Sequence, residues 1–148
     1  MAERLREAAE LFRRLPHSDS HQPGPPDPTT GERWDRFNVL GHMSEMLVFW
    51  SQQLGRAIAS DGAFGRQPQS SGRLDGIESG HLLNEADLRA RIDNGLAATE
   101  ALLASLKPED LDRALHSTTR GEMTLRQAID YYLVGHFCDH VKQLQELE

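Results

Sequence analysis

The sequence holds a single cysteine, Cys138, so no disulfide can close within the chain and an oxidising compartment is not required. Nowhere does it approach the roughly 18 to 20 consecutive apolar residues that cross a bilayer. Its N-terminus, MAERLREAAELFRRL, alternates charged with apolar residues where a signal peptide has a continuous apolar core. The expectation is a cytoplasmic protein that does not enter a membrane. Basic clusters are missing as well. The formal charge is -7, and residues such as Arg4, Arg6, Arg13, Arg14, Arg89 and Arg91 form no stripe. That balance argues against nucleic-acid binding, which runs on clustered Lys and Arg. No segment alternates apolar and polar residues over the length of a convincing strand, and no internal repeat is present.

What the sequence does have is helical periodicity. With 148 residues, 38% of them hydrophobic and 26% charged, the chain reads as one globular domain over 1–148. Leu5, Ala8, Ala9, Phe12 and Leu15 recur at three- and four-residue spacing and predict a first helix over Ala2 to Leu15, closed by Pro16. The PGPPDP run in the connection that follows cannot be helical. Asp35, with Asn38 three residues on, can cap a second helix running to about Ser60. Asp61 and Gly62 then open a polar loop to His81. Asn84 and Asp87 mark the start of a third helix that stops before Pro108, and Thr124 with Gln127 forms a capping box for a fourth over Leu125 to about Leu147. Four helices and three loops predict an all-α, antiparallel four-helix bundle.

Seven histidines are present. His17, His21, His81 and His116 fall in predicted loops, where a solvated side chain is the ordinary reading. His136 and His140 differ. At about 100° per residue they sit only about 40° apart, amid Leu125, Ile129, Leu133, Leu144 and Leu147 on the fourth helix. Buried imidazoles need polar partners, and histidines at i and i+4 satisfy that need together by converging on a metal ion. His42, at the edge of an arc with Val39, Met43, Met46, Trp50 and Leu54, reaches the same interior from the second helix. Three neutral imidazoles with an open position describe a catalytic rather than a closed structural site. Two other metal-site patterns are absent. A zincin has Glu directly after the first His, where Phe137 stands, and the lone Glu-x-x-His, Glu78 to His81, lies in or beside a loop.

Trp34 followed by Val39, Leu40, Gly41 and His42 resembles the entry to the second helix of the DinB/YfiT-like family. Glu122-Met-Thr-Leu-Arg-Gln-Ala-Ile, with His136, His140 and Gln143, is similar to its last helix. The resemblance spans nearly the whole chain. It implies a bundle with one long crossover, a homodimer, and a zinc or nickel ion on His42, His136 and His140. It further implies a small-molecule substrate and thiol-dependent transferase or isomerase chemistry, with mycothiol or bacillithiol as co-substrate. Read without the resemblance, the residues also allow a non-catalytic metal- or ligand-binding bundle, or a hydrolase using metal-bound water.

Around these ligands, Tyr132 lies one turn before His136 and is a candidate to line the pocket or donate a proton. Glu45 and Gln53 lie near His42 on the wheel and are candidates to orient the site. Cys138 falls about 160° to 200° from the two histidines that flank it in sequence, a packing rather than a ligand position. Trp34, Trp50, Met43 and Met46 read as core, with apolar pocket walls as their further role.

Overall fold

The computed structural model describes residues 1–60 and 62–147; Asp61, expected to open the long loop, and Glu148 lie outside the described residues. Its elements are α1 (Ala2–Arg14), α2 (Arg36–Ser60), α3 (Ser71–Ser79), α4 (Glu85–Ser105), a 3-10 turn (Pro108–Asp112), β1 (Ala114–Ser117), β2 (Gly121–Thr124), α5 (Leu125–Ile129), a π-helical turn (Asp130–Val134) and α6 (Gly135–Glu146). Asp130 and Gly135 keep helical dihedrals, so α5, the π turn and α6 run as one axis over 125–146. The chain is mostly helical. No helix among the described residues is long and apolar enough to cross a membrane.

Local chemistry sets the helix starts. Asn38 donates its backbone N–H to Asp35 Oδ1 at 3.0 Å, and Asp35 N–H returns a bond to Asn38 Oδ1 at 3.1 Å. Asn84 accepts from Asp87 N–H at 2.8 Å, and Thr124 and Gln127 exchange the two bonds of a capping box. The core lies between α2 and α4, with the last helix packed on α1 and α2. Leu40, Met43, Leu47 and Leu54 of α2 are buried with Leu88, Ile92 and Leu96 of α4, and Phe12 meets Phe137 edge to face.

Two expectations are corrected. The loop expected up to His81 contains α3, a helix whose buried residues are Gly76 and Ile77. Two glycines and one apolar anchor leave no periodic signal, since glycine disfavours a helix interior. The segment is helical because it lies flat on α2: a Cβ on Gly80 would sit 1.8 Å from Phe37 O, and one on Gly41 would sit 2.5 Å from Gly76 O. Only residues without side chains permit that approach. The expected absence of strands fails too. Ala114–Ser117 pairs antiparallel with Gly121–Thr124, and Gly121 takes φ 78 at the turn. Each strand has four residues, and in β1 only Leu115 and Ser117 face inward, too short a pattern to stand out in sequence.

Candidate metal centre

The three histidines named from sequence come together. One ligand atom from each of His42, His136 and His140 lies within 4.8 Å of the others. His42 Nε2 stands 3.3 Å from His136 Nε2, and the ring centroids of the three are 4.7 to 5.2 Å apart. His42 comes from the second turn of α2, and His136 and His140 from one face of α6. The π turn immediately before His136 widens the helix; such turns recur at functional sites.

Hydrogen bonding fits these rings to a shared cation. His140 Nδ1 meets Gln143 Oε1 at 2.8 Å, which leaves Nε2 to face the cluster; that nitrogen is buried and has no partner. His42 Nδ1 is likewise buried and unpartnered. An orphaned buried nitrogen is costly, and a metal ion removes the cost at His140 Nε2, whereas on His42 it is Nε2, beside His136, that faces the cluster. The separation of 3.3 Å between His42 and His136 matches the edge of a tetrahedron with zinc–nitrogen bonds of about 2.0 to 2.1 Å. A ligand histidine usually donates its other N–H to a carbonyl or carboxylate oxygen, the arrangement His140 has with Gln143.

Electrostatics keeps all three rings neutral, the form a metal needs. Burial pushes His42 well below its ordinary value, with the neighbouring His140 and His136 adding to it. Burial also lowers His136, to about 3, against an opposing hydrogen bond to the Tyr132 backbone. His140 is lowered by burial and partly restored by Gln143. Unfolded histidines take up protons below about pH 6.5 while these buried rings resist, so stability is retained above that pH and lost as pH falls below it. Urea unfolding of chelated protein at pH 7, 6 and 5 should show a loss of about 1.4 kcal/mol per pH unit for each ring still neutral. The loss should be shallower in His136→Ala; equal slopes for both proteins would contradict the buried, neutral placement of that ring.

The cluster opens into a cavity of about 990 Å³. Trp34 packs flat on His140 at 5.8 Å and edge-on to His42 at 5.1 Å, so this residue, read as core from sequence, bears directly on two of the three rings. Gly24 to Pro28 of the proline-rich connection form one wall, and Trp50, Tyr132, Arg66 and Arg73 contribute others. Tyr132 therefore lies at the cavity, but its hydroxyl is engaged by Ser117 Oγ at 2.7 Å and Thr119 Oγ1 at 3.2 Å. Glu45 is not among the lining residues. It forms a two-pronged ion pair with Arg66, one contact at 2.7 Å, and so acts on the cavity through that arginine. Arg73 is held similarly by Glu32 at 2.8 and 3.1 Å, which keeps the Glu32 carboxyl below its ordinary range despite burial. Cys138 is half-buried and no member of the cluster; burial pushes its thiol up.

Sequence reasoning missed Arg66, Arg73 and the proline-rich wall. These positions carry no periodic signal, and only the packing of α3 and of the 16–34 segment brings them to the histidines. No family model matches the chain, and no curated protein sequence matches it.

Proposed function

We propose that this chain is a metal-dependent enzyme of the thiol S-transferase or isomerase class, built as a DinB-like bundle. The observation that carries the reading is the convergence of three neutral imidazoles on a cavity of about 990 Å³, at the upper end of the roughly 300 to 1,000 Å³ of small-molecule sites. The order of the tryptophan, the helix-two histidine and the paired histidines of the last helix supports the family resemblance. His42, His136 and His140 would hold a zinc or nickel ion and leave coordination positions facing the cavity. An ion held there lowers the pKa of a bound thiol, which makes a nucleophile available near neutral pH.

The remaining residues then bind and orient. Trp34 and Trp50 supply apolar walls, and Trp34 fixes the plane of His140. Arg66 and Arg73 place guanidinium donors beside the cavity, each held in position by an ion pair with a carboxylate. Such walls suit mycothiol or bacillithiol, polar thiols with one reactive sulfur.

Cobalt-substituted protein provides the test. Adding mycothiol or bacillithiol should introduce a sulfur-to-cobalt charge-transfer band and shift the visible bands, and His42→Ala should abolish both changes. Spectra unaltered by either thiol would overturn the thiol reading and leave water as the occupant of the open position.

A further inference from the structure

A second group of ligand-type side chains lies at the start of α2, apart from the cavity histidines. His21, Asp35 and His81 each offer one ligand atom, and the three atoms lie within 4.8 Å of one another. Both imidazoles address the same carboxylate oxygen: His21 Nδ1 is 3.4 Å and His81 Nε2 is 3.3 Å from Asp35 Oδ2. We propose that His21, Asp35 and His81 form a second divalent-cation site, one that ties the proline-rich segment to the N-terminus of α2.

Three observations carry this. The first is distance. Ion-paired hydrogen bonds from nitrogen to oxygen settle at about 2.7 to 2.9 Å, and neither contact here does. Both values instead match the ligand–ligand edge of a tetrahedral zinc site, about 3.3 Å for bonds near 2.0 to 2.1 Å. The second is orientation. Asp35 is buried and its other oxygen, Oδ1, is fixed by the Asn38 N–H at 3.0 Å, so Oδ2 is aimed at the two rings by the cap of the helix. His21 is held by packing on Phe37, ring centroids 4.7 Å apart and 18° from parallel. The third is backbone placement. His81 directly follows Gly80, whose missing side chain lets that segment close on Phe37 O, and this contact delivers His81 to the start of α2.

Two imidazoles and one carboxylate give a borderline donor set suited to zinc or a similar divalent ion, with water completing the coordination. The rings are half-open to solvent, with side-chain exposures of 60% for His21 and 41% for His81, so this site should bind more weakly than the buried cluster. Its consequence is mechanical. His21 precedes the Gly24–Pro28 wall by three residues, so an ion here anchors the segment that closes one side of the cavity.

Chelated protein titrated with zinc at pH 7.5 and followed by calorimetry should take up two equivalents. The His21→Ala/His81→Ala variant should take up one, and His136→Ala/His140→Ala should keep only the weaker of the two. Because each substitution could disturb packing on Phe37, the wild-type protein supplies a second readout: the imidazole C–H resonances of His21 and His81 should shift on adding the second equivalent. A double variant at 21 and 81 that takes up as much zinc as the wild type, or unmoved His21 and His81 resonances, would overturn the site.

Discussion

Stripping divalent metal with a chelator should lower the melting temperature by about 10 °C. A ligand bound only by the folded state stabilises it by about 4 kcal/mol when present at a thousand times its dissociation constant. For a domain of this size each kcal/mol moves the midpoint by about 2 to 4 °C. The structure gives the reason for a large effect. Without an ion, three rings sit neutral and close together, with His140 Nε2 buried and unpartnered. With one, α2 is joined to α6 through the same three side chains. Most of the difference should vanish in His136→Ala, which lacks one ligand, and the residue of it should reflect the weaker cluster at His21, Asp35 and His81. Melts of wild-type protein that coincide with and without chelator would mean the cluster holds no ion of energetic consequence. An undiminished difference in His136→Ala would place the stabilising metal elsewhere.

The three cavity histidines were legible because each signal is local. His136 and His140 share a helix face by their spacing, and His42 follows its own cap by seven residues, so one or two turns of geometry set each direction. The caps at Asp35, Asn84 and Thr124 were legible for the same reason: the side chain that decides the start lies within three residues of the backbone it bonds. What surrounds the cluster was not legible. Arg66 and Arg73 lie in the stretch expected to be a loop, and they reach the cavity because Glu45 and Glu32 hold them there across 21 and 41 residues of chain. His21, Asp35 and His81 are divided among a proline-rich segment, a helix cap and a turn, so nothing in their spacing announces a cluster. The α3 helix depends on glycine contacts with α2 that exist only after folding. Tertiary contact created these features, and tertiary contact has no period.

Replacing Glu85 with Ala should cost about 3 to 5 kcal/mol, because it removes one partner of a buried ion pair and leaves the other charge uncompensated. Arg36 is 1% exposed, and its Nη2 donates to Glu85 Oε1 at 2.9 Å and to Pro16 O at 2.5 Å. Its Nε and Nη1 find no partner among the described residues, and among these Glu85 is the sole carboxylate within an ion-pair distance of that guanidinium. Arg89 donates to the same carboxylate at 2.8 Å, and the Ser18 N–H at 3.2 Å. Burial opposes ionisation of Glu85, but the bonds from Arg36, Ser18 and Arg89 outweigh it and hold the carboxyl below its ordinary value. Its stabilising contribution is therefore present above the unfolded carboxyl value, about 4.3, and lost as pH falls through the lower folded one. The urea midpoint should drop with the slope m unchanged, the mark of lost stability without a change in the surface exposed. Replacing the pair together, Arg36→Met with Glu85→Leu, should recover much of the loss, since the buried Arg36 charge leaves with its partner while Arg89 keeps its bonds to Phe12 O and Leu15 O. Losses that match in the single and double variants would show that Glu85 acts through Arg89 or Ser18 instead. This carboxylate stabilises more than the junction of two helices. It accepts the Ser18 N–H, and its partner Arg36 donates to Pro16 O, so the pair holds the chain where the proline-rich segment departs, and His21 packs on Phe37 before that segment becomes the cavity wall. The Glu85→Ala protein, kept below its melting point, should still bind metal at His42, His136 and His140, whose helices it leaves in place. Its weaker affinity for a cavity ligand would measure how far that wall depends on its anchors.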